Sequence, residues 1–347
     1  MKKIVTFGEI LLRLTPPGYL KLSQSNQLSM SFGGSETNVA VSLAHMGRRS
    51  EFVTKLPEND IAGAAIADLR SHDVEVDHIV KGGERLGLYF YENTSSVRAS
   101  KVVYDRSNSS FATSVKDDYD WDAVFVDAEW FHWSGIGPAL SQSAADVTLD
   151  AINKASAAGL TISADLNYRK NLWKYGKAPE EIMPVLANKC DILFGTEGEY
   201  EKTFGVKAVP FTIKSDKEAY DIEAHRRFCA DVMAKAHNCK MMFVALRNVI
   251  DAKHHVFQGL LYTASGDFYT SRIYYIDHVV DCVGCGDAFA AGMIYGVKEY
   301  ADDNQKALEY ATAAAILKNT IEGDYNLSSS ADVKALMGGD ASGAVSR

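Results

Sequence analysis

Short apolar runs at residues 4–7, 52–54, 123–126, 160–164, 192–194 and 242–245 alternate with stretches of helical periodicity, and this alternation narrows the possible folds more than any other feature of the chain. Such runs suit strands buried on both faces, as in a covered parallel sheet. Between them, residues 36–46 bring Val39, Leu43 and Met46 to one helical face and stop at Gly47, while 61–72 and 143–158 read as further helices. The pattern predicts an α/β protein, a three-layer α/β/α sandwich with a mostly parallel central sheet. In such sheets ligands gather beyond the carboxyl ends of the strands.

Two segments break the alternation. Residues 11–32 and 85–107 read as antiparallel strands and predict a small β lid, leaving 1–10, 33–84 and 108–330 as the core and 331–347 as a C-terminal tail that ends in the frayed GGDASGAVSR. In the second segment a period of two sets Tyr89 and Tyr91 on one face, and Tyr104 with Arg106 on one face of the next strand. Two readings are open there: aromatic rings and a guanidinium facing a sugar acid, or a half-buried hairpin whose Arg106 points to solvent.

With 347 residues, 47% of them apolar and 23% charged, the chain can bury a full core. Its 36 basic and 45 acidic residues give a formal charge of -9, which argues against a nucleic-acid or anionic-membrane surface, so a bound anion must be met by local positive groups. No apolar run has the length of a membrane span, and the start MKKIVTFGEILL enters strand-like sequence without a small-residue cleavage site. The five cysteines lack the spacing of a disulfide framework, which fits a reducing cytoplasm.

The chemistry concentrates in the run Asp281-Cys-Val-Gly-Cys-Gly-Asp287, followed by AFAAGMIYG. Val279 and Val280 read as the end of a strand and 288–295 as a helix. The glycines free the turn between, so the N–H groups of Gly284, Cys285 and Gly286 converge on an anion such as phosphate. A carboxylate repels phosphate, so Asp287 makes chemical sense there as the base that takes a proton from a hydroxyl attacking it. The run therefore predicts phosphoryl transfer to an alcohol.

Cys282 and Cys285 offer rival readings, a redox dithiol or half of a zinc site. Cys190, Cys229 and Cys239 stand alone and His254-His255 lacks finger spacing, so zinc has no second ligand pair. A redox motif opens its helix directly after the first cysteine, whereas here Gly284 and Gly286 bracket the second. Plain small buried residues are the third reading.

Three motifs in order, GGSETNVAVSLAHMG with paired Gly33 and Gly34, the central DLNYR, and DCVGCGDAFAAG, make the chain from Met1 to about Asn326 resemble the ribokinase-like (PfkB) sugar kinase family. Within that family it is most similar to the 2-keto-3-deoxygluconate kinases. Cys282 and Cys285 stand where threonine and alanine are usual in the family's D-T-x-G-A-G-D, a change that removes one hydroxyl and keeps both side chains small.

The resemblance implies an ATP-dependent kinase that phosphorylates the terminal hydroxyl of 2-keto-3-deoxygluconate, with Asp287 as base and the Gly284, Cys285 and Gly286 amides as anion hole; a fructokinase or ribokinase of the same family and a noncatalytic sugar-binding protein with this fold are the alternative readings. It implies a sugar site of Gly34, Asn38, Tyr89, Tyr104, Arg106 and Arg169, where two arginines would be excessive for a neutral sugar and apt for a carboxylate. Arg169 has a second reading, as a cap on backbone carbonyls in the core. The family's N-x-x-E motif, which orders Mg²⁺ through water, matches Thr196 to Glu199, with Thr196 replacing asparagine. The other reading of Glu199 is a solvated carboxylate at a helix start. Adenine is expected beside the Ala-rich helix 307–318 and the turn 319–323, including Asn319, although Ala311, Ala313, Ala314 and Ala315 are explained equally by helix packing. Arg247 is a candidate for the ATP phosphates. A homo-oligomer paired through the lid edge is also implied.

Overall fold

The computed structural model describes residues 1–93 and 95–339. Its main sheet has nine strands: β1 (Lys3–Phe7), β4 (Ser50–Val53), β9 (Ala128–Ser134), β10 (Thr161–Asp165), β11 (Ile192–Gly195), β12 (Met241–Val249), β13 (His255–Thr263), β14 (Phe268–Thr270) and β15 (Tyr274–Ile276). The order is β14-β13-β12-β11-β10-β9-β1-β4, with β15 also on β13. Pairing is parallel from β4 through β12 and antiparallel beyond it.

Successive side chains of a strand face opposite ways, and in β1 Val5 and Phe7 enter one apolar cluster while Ile4 enters another. On the Val5 side lie α3 (Trp121–Val124), α5 (Gln142–Ala157), α6 (Pro179–Ala187), α7 (Glu197–Phe204) and α8 (Ile222–Met233), with the short α4 (Ile136–Leu140) against α5. On the Ile4 side lie α1 (Ser35–His45), α9 (Cys285–Glu299), α10 (Asn304–Lys318) and α11 (Ser330–Met337). These are the three layers of the sandwich.

A second sheet is the lid, β2 (Leu11–Thr15), β3 (Ser29–Gly33), β7 (Gly87–Glu92) and β8 (Lys101–Asp105), in the order β3-β2-β7-β8. Its two hairpins are antiparallel, and β2 joins β7 in parallel, so the sheet is mixed. Register puts Arg13, Tyr89 and Tyr104 abreast on one face and Leu14, Phe90 and Val103 on the other. Leu12 and Phe32 root the second face on α2 (Asp60–Ser71), near the short pair β5 (Lys55–Leu56) and β6 (Val80–Lys81).

Three expectations from sequence change. Residues 121–124 are helical rather than part of a 123–126 strand, because the Asp120 side chain accepts the Ala123 N–H and caps that turn. The strand follows as AEWFHWS, its apolar run masked by Glu129, His132 and Ser134; the last two are nevertheless buried, and His132 meets the Ser163 hydroxyl at 2.8 Å. Val279 and Val280 form no strand, their N–H groups going singly to the carbonyls of Lys253 and Asn319, and the strand lies earlier at β15. The tail does not begin at 331: α11 is capped by Ser329 and buries Val333 and Leu336 against the Ile4-side cluster. Residues 340–347 lie outside the described residues.

Candidate active site

Strands β1, β9, β10 and β11 end at one edge of the main sheet, where α1, α7 and α9 begin, so helix N-termini and strand ends meet beneath the lid. The cleft there encloses about 370 Å³ and is lined by Gly34, Asn38, Tyr89, Tyr104, Arg106, Arg169, Thr196, Glu199, Arg247, Gly284, Cys285, Gly286, Asp287 and Asn319. The fold thus brings these fourteen residues together at one cavity, which Tyr91 and the alanines of α10 do not line.

Gly284 caps α9 at φ +83°, and a Cβ there would stand 2.0 Å from the Asp324 carbonyl oxygen, so both conformation and space require glycine. The helix starts at Cys285, earlier than the expected 288, which makes Cys285, Gly286 and Asp287 its first turn, where N–H groups have no intrahelical carbonyl. The Cys285 N–H reaches the Cys282 carbonyl at 3.4 Å.

Asp287 is buried at the mouth of this helix. Its Oδ1 accepts the Ser35 hydroxyl at 2.8 Å and its Oδ2 the Asn38 amide at 2.7 Å. Burial pushes its carboxyl up to about 6, held there against the Asn38 and Ser35 hydrogen bonds, which favour the charged form. Asn167 donates in turn to Ser35 Oγ at 2.8 Å and to Asp165 Oδ2 at 3.0 Å, so the three sequence motifs join in one hydrogen-bonded chain. Burial, then the charges of Glu199 and Asp287, hold the Asp165 carboxyl well above its ordinary range. Below Asp287, Glu36 accepts the Ser134 N–H at 2.9 Å and burial pushes it up to about 7.

On the lid side, Arg106 is buried instead of solvated: its Nε donates to Glu9 Oε2 at 2.8 Å, its Nη2 meets the same oxygen, and its guanidinium lies 5.3 Å from the Tyr104 ring. Nη1 is not engaged by Glu9, and the buried Glu9 Oε1 has no hydrogen-bond partner among the described residues. The Tyr89 hydroxyl lies 2.7 Å from both oxygens of Asp324. Gly34 is needed for close approach, since its Cβ would come 2.2 Å from the Glu9 carbonyl oxygen.

At the other end, Glu199 closes a capping box on α7, its Oε2 accepting the Thr196 N–H at 2.7 Å and hydroxyl at 2.9 Å, so Thr196 holds this carboxylate at the start of the helix. Glu199 Oε1 lies 3.6 Å from Arg169 Nη1, which also donates to the Tyr168 carbonyl at 3.1 Å; with its side chain 44% exposed in the cleft, Arg169 makes that carbonyl contact at the cleft surface and not in the core. Arg247 lines the cleft from β12 and is exposed. The alanines of α10 are not a purine wall: Ala311, Ala313, Ala314 and Ala315 are fully buried, and Gly292 of α9 packs on Ala311 and Ala314. Asn319 alone of that region lines the cleft, its amide bonded to the Ala315 carbonyl.

Burial pushes the Cys285 thiol up to about 12, which keeps it protonated and poorly nucleophilic, and among the described residues no three His, Cys, Asp or Glu side chains gather to hold a metal by themselves. Both findings weigh for the reading of Cys282 and Cys285 as small residues of the turn. Sequence reading missed Glu9, Arg13 and Asp324, lone charged residues outside any motif. It also passed over Ser35, Asp165 and Asn167, which stand inside motifs it quoted.

A buried carboxylate able to accept a proton near neutrality, beside helix-terminal N–H groups and two arginines, can activate a hydroxyl toward an electrophilic anion. Known proteins resemble this chain over nearly its whole length. The crystal structure of a 2-dehydro-3-deoxygluconokinase from Thermotoga maritima is 38% identical, with a TM-score of 0.88 over 98% of this chain and 100% of that one. A 2-dehydro-3-deoxygalactonokinase from Haloferax volcanii is 29% identical over 98% of both chains, and a 2-dehydro-3-deoxygluconokinase from Bacillus subtilis is 29% identical over 84% of this chain and 82% of its own. Residues 1–227 match the model of the pfkB family carbohydrate kinases, and with the fold and identity above the chain belongs to that family.

Proposed function

We propose that this carbohydrate kinase transfers the γ-phosphate of ATP to the terminal hydroxyl of 2-keto-3-deoxygluconate, giving the 6-phosphate. The observation that carries the reading is Asp287, raised to about 6 and held by Ser35 and Asn38 at the mouth of α9. Asp287 takes the hydroxyl proton, the freed oxygen attacks in line, and the Gly284, Cys285 and Gly286 amides meet the charge that develops. Gly34, Asn38, Tyr89, Tyr104, Arg106 and Arg169 hold the sugar acid, the guanidiniums taking its carboxylate. Thr196, Glu199, Arg247, Gly284, Gly286 and Asn319 face the nucleotide. Closure of the lid excludes water, the competing phosphoryl acceptor.

Mg²⁺ fits this donor set: Glu199 is a hard oxygen donor with Oε1 turned from its capping contacts, and it would hold the ion through water. When bound, the ion would neutralise charge on the phosphates. The proposal extends to a cytoplasmic setting, consistent with five free cysteines and with no helix of the described residues long and apolar enough to cross a membrane. It extends also to a homo-oligomer through the lid, whose outer face exposes Met30 and Val103 at 58% and 41%. A second reading, preference for the galacto epimer, is favoured by the Haloferax volcanii relative. Asp287→Asn tests the mechanism: turnover should fall by roughly 10³-fold with sugar-acid affinity within a fewfold of wild type, and near-normal turnover would remove Asp287 as the base.

A further inference from the structure

Arg13 is a lid residue, 3% exposed, whose side chain, among the described residues, meets the lid sheet only at its strand neighbour Thr15 and the ring of Tyr91. Its Nη2 donates to Asp281 Oδ2 at 2.8 Å and its Nη1 to Asp324 Oδ1 at 2.6 Å, contacts that span 268 and 311 residues of sequence. Asp281 opens the anion-binding turn: its Oδ1 accepts the Val283 N–H at 2.9 Å and its Oδ2 the Gly323 N–H at 3.2 Å. Asp324 receives the Tyr89 hydroxyl, and it fills the space a Cβ would need at Gly33 and at Gly284, 2.1 Å from its Oδ2 and 2.0 Å from its carbonyl oxygen. The fully buried Lys318 lies close by, but its ammonium donates to the main-chain carbonyls of Asp281 and Ile321. Among the described residues Arg13 is therefore the only cation bonded to either buried carboxylate.

We propose that Arg13 is a positioning residue for phosphoryl transfer: from the lid it clamps Asp281 and Asp324, and so holds the turn 282–286 in register with the sugar-facing side of the lid. The inference rests on the kinase reading above. Without the guanidinium, two carboxylates buried side by side lose their counter-charge, and the loop they order must admit water, take up a proton or move. A shift of about an ångström in the turn changes the path between hydroxyl and phosphate, and so affects the chemical step much more than the capture of ATP.

The test pairs kinetics with amide hydrogen exchange on wild type, Arg13→Met and Arg13→Lys. For Arg13→Met, kcat should fall roughly ten- to hundredfold with KM for ATP within about threefold, and the Val283 and Gly323 amides should exchange at least about tenfold faster while α5 keeps its protection. Arg13→Lys should fall between, since an ammonium meets one carboxylate at a time. Wild-type kcat in Arg13→Met, unchanged exchange at Val283 and Gly323, or exchange that rises equally throughout the molecule would each overturn the proposal. If Arg13→Met does not fold, Arg13→Lys decides by the same two readouts. If the wild type phosphorylates no sugar, the kinase reading fails separately and the exchange result still decides whether the clamp exists.

Discussion

At the lid end of the cleft the charges are paired inside the protein before any ligand arrives: Arg106 on Glu9, Tyr89 on Asp324, Asp287 between Ser35 and Asn38. At the β12 end, among the residues given to the nucleotide, Arg247 stands exposed. A preorganised polar site discriminates because a wrong ligand leaves buried groups unmatched, whereas exposed charges attract any polyanion and are ordered by it. The difference assigns discrimination to the lid end, which the proposal gives to the sugar, and capture to the end given to the nucleotide.

Breaking the lid end should cost both function and fold. Arg106→Ala strands the Glu9 carboxylate, 4% exposed, and should destabilise the protein by about 3–5 kcal/mol while cutting kcat/KM for the sugar acid far more than for a neutral analogue. Thermal melts and paired kinetics check it; equal losses on both substrates would argue against carboxylate recognition. Glu36, buried beneath the same end, should make stability depend on pH. Its folded value is raised from 4.5 to about 7, so its contribution is fully present below 4.5 and fades as pH rises through 7, a loss of roughly 3 kcal/mol at 1.36 kcal/mol per unit. Glu36→Gln should accordingly unfold at a similar denaturant concentration to wild type at pH 4 and at a higher one at pH 8.

The β12 end should respond differently. Arg247→Ala is expected to raise KM for ATP about tenfold, as the loss of one charged hydrogen bond would, with the melting temperature and the sugar-acid KM unchanged. A fall in stability like that of Arg106→Ala would erase the contrast between the two ends. The smallest effect belongs to the turn itself. Cys282→Ala with Cys285→Ala should keep turnover within roughly threefold of wild type, because the positions ask chiefly for small volume. Abolished activity would restore a role for the thiols.

How much of this was legible in sequence follows from how the groups are spaced. Asp287, Gly284 and Gly286 share one run, and Gly33 and Gly34 another, so local chemistry alone suggested an anion turn with a base. Glu9, Arg13 and Asp324 gain meaning only through partners 97 to 311 residues away, a distance over which no period or spacing rule acts. The parallel sheet was legible wherever strands are uniformly apolar. It failed at β9, where buried His132 and Ser134 read as polar breaks until the fold supplies the Ser163 hydroxyl and a place in the core. The alanines of α10 were ambiguous because a close helix contact and a flat ligand wall ask for the same small side chain, and Gly292 against Ala311 decides for packing.

An ATP-coupled assay giving kcat/KM for 2-keto-3-deoxygluconate, its galacto epimer, fructose and ribose addresses the central claim most directly. The paired arginines and prebuilt lid end predict that the sugar acids exceed both neutral sugars by at least about 10²-fold. Comparable or higher values for fructose or ribose, or ATP turnover with none of the four, would contradict the assignment.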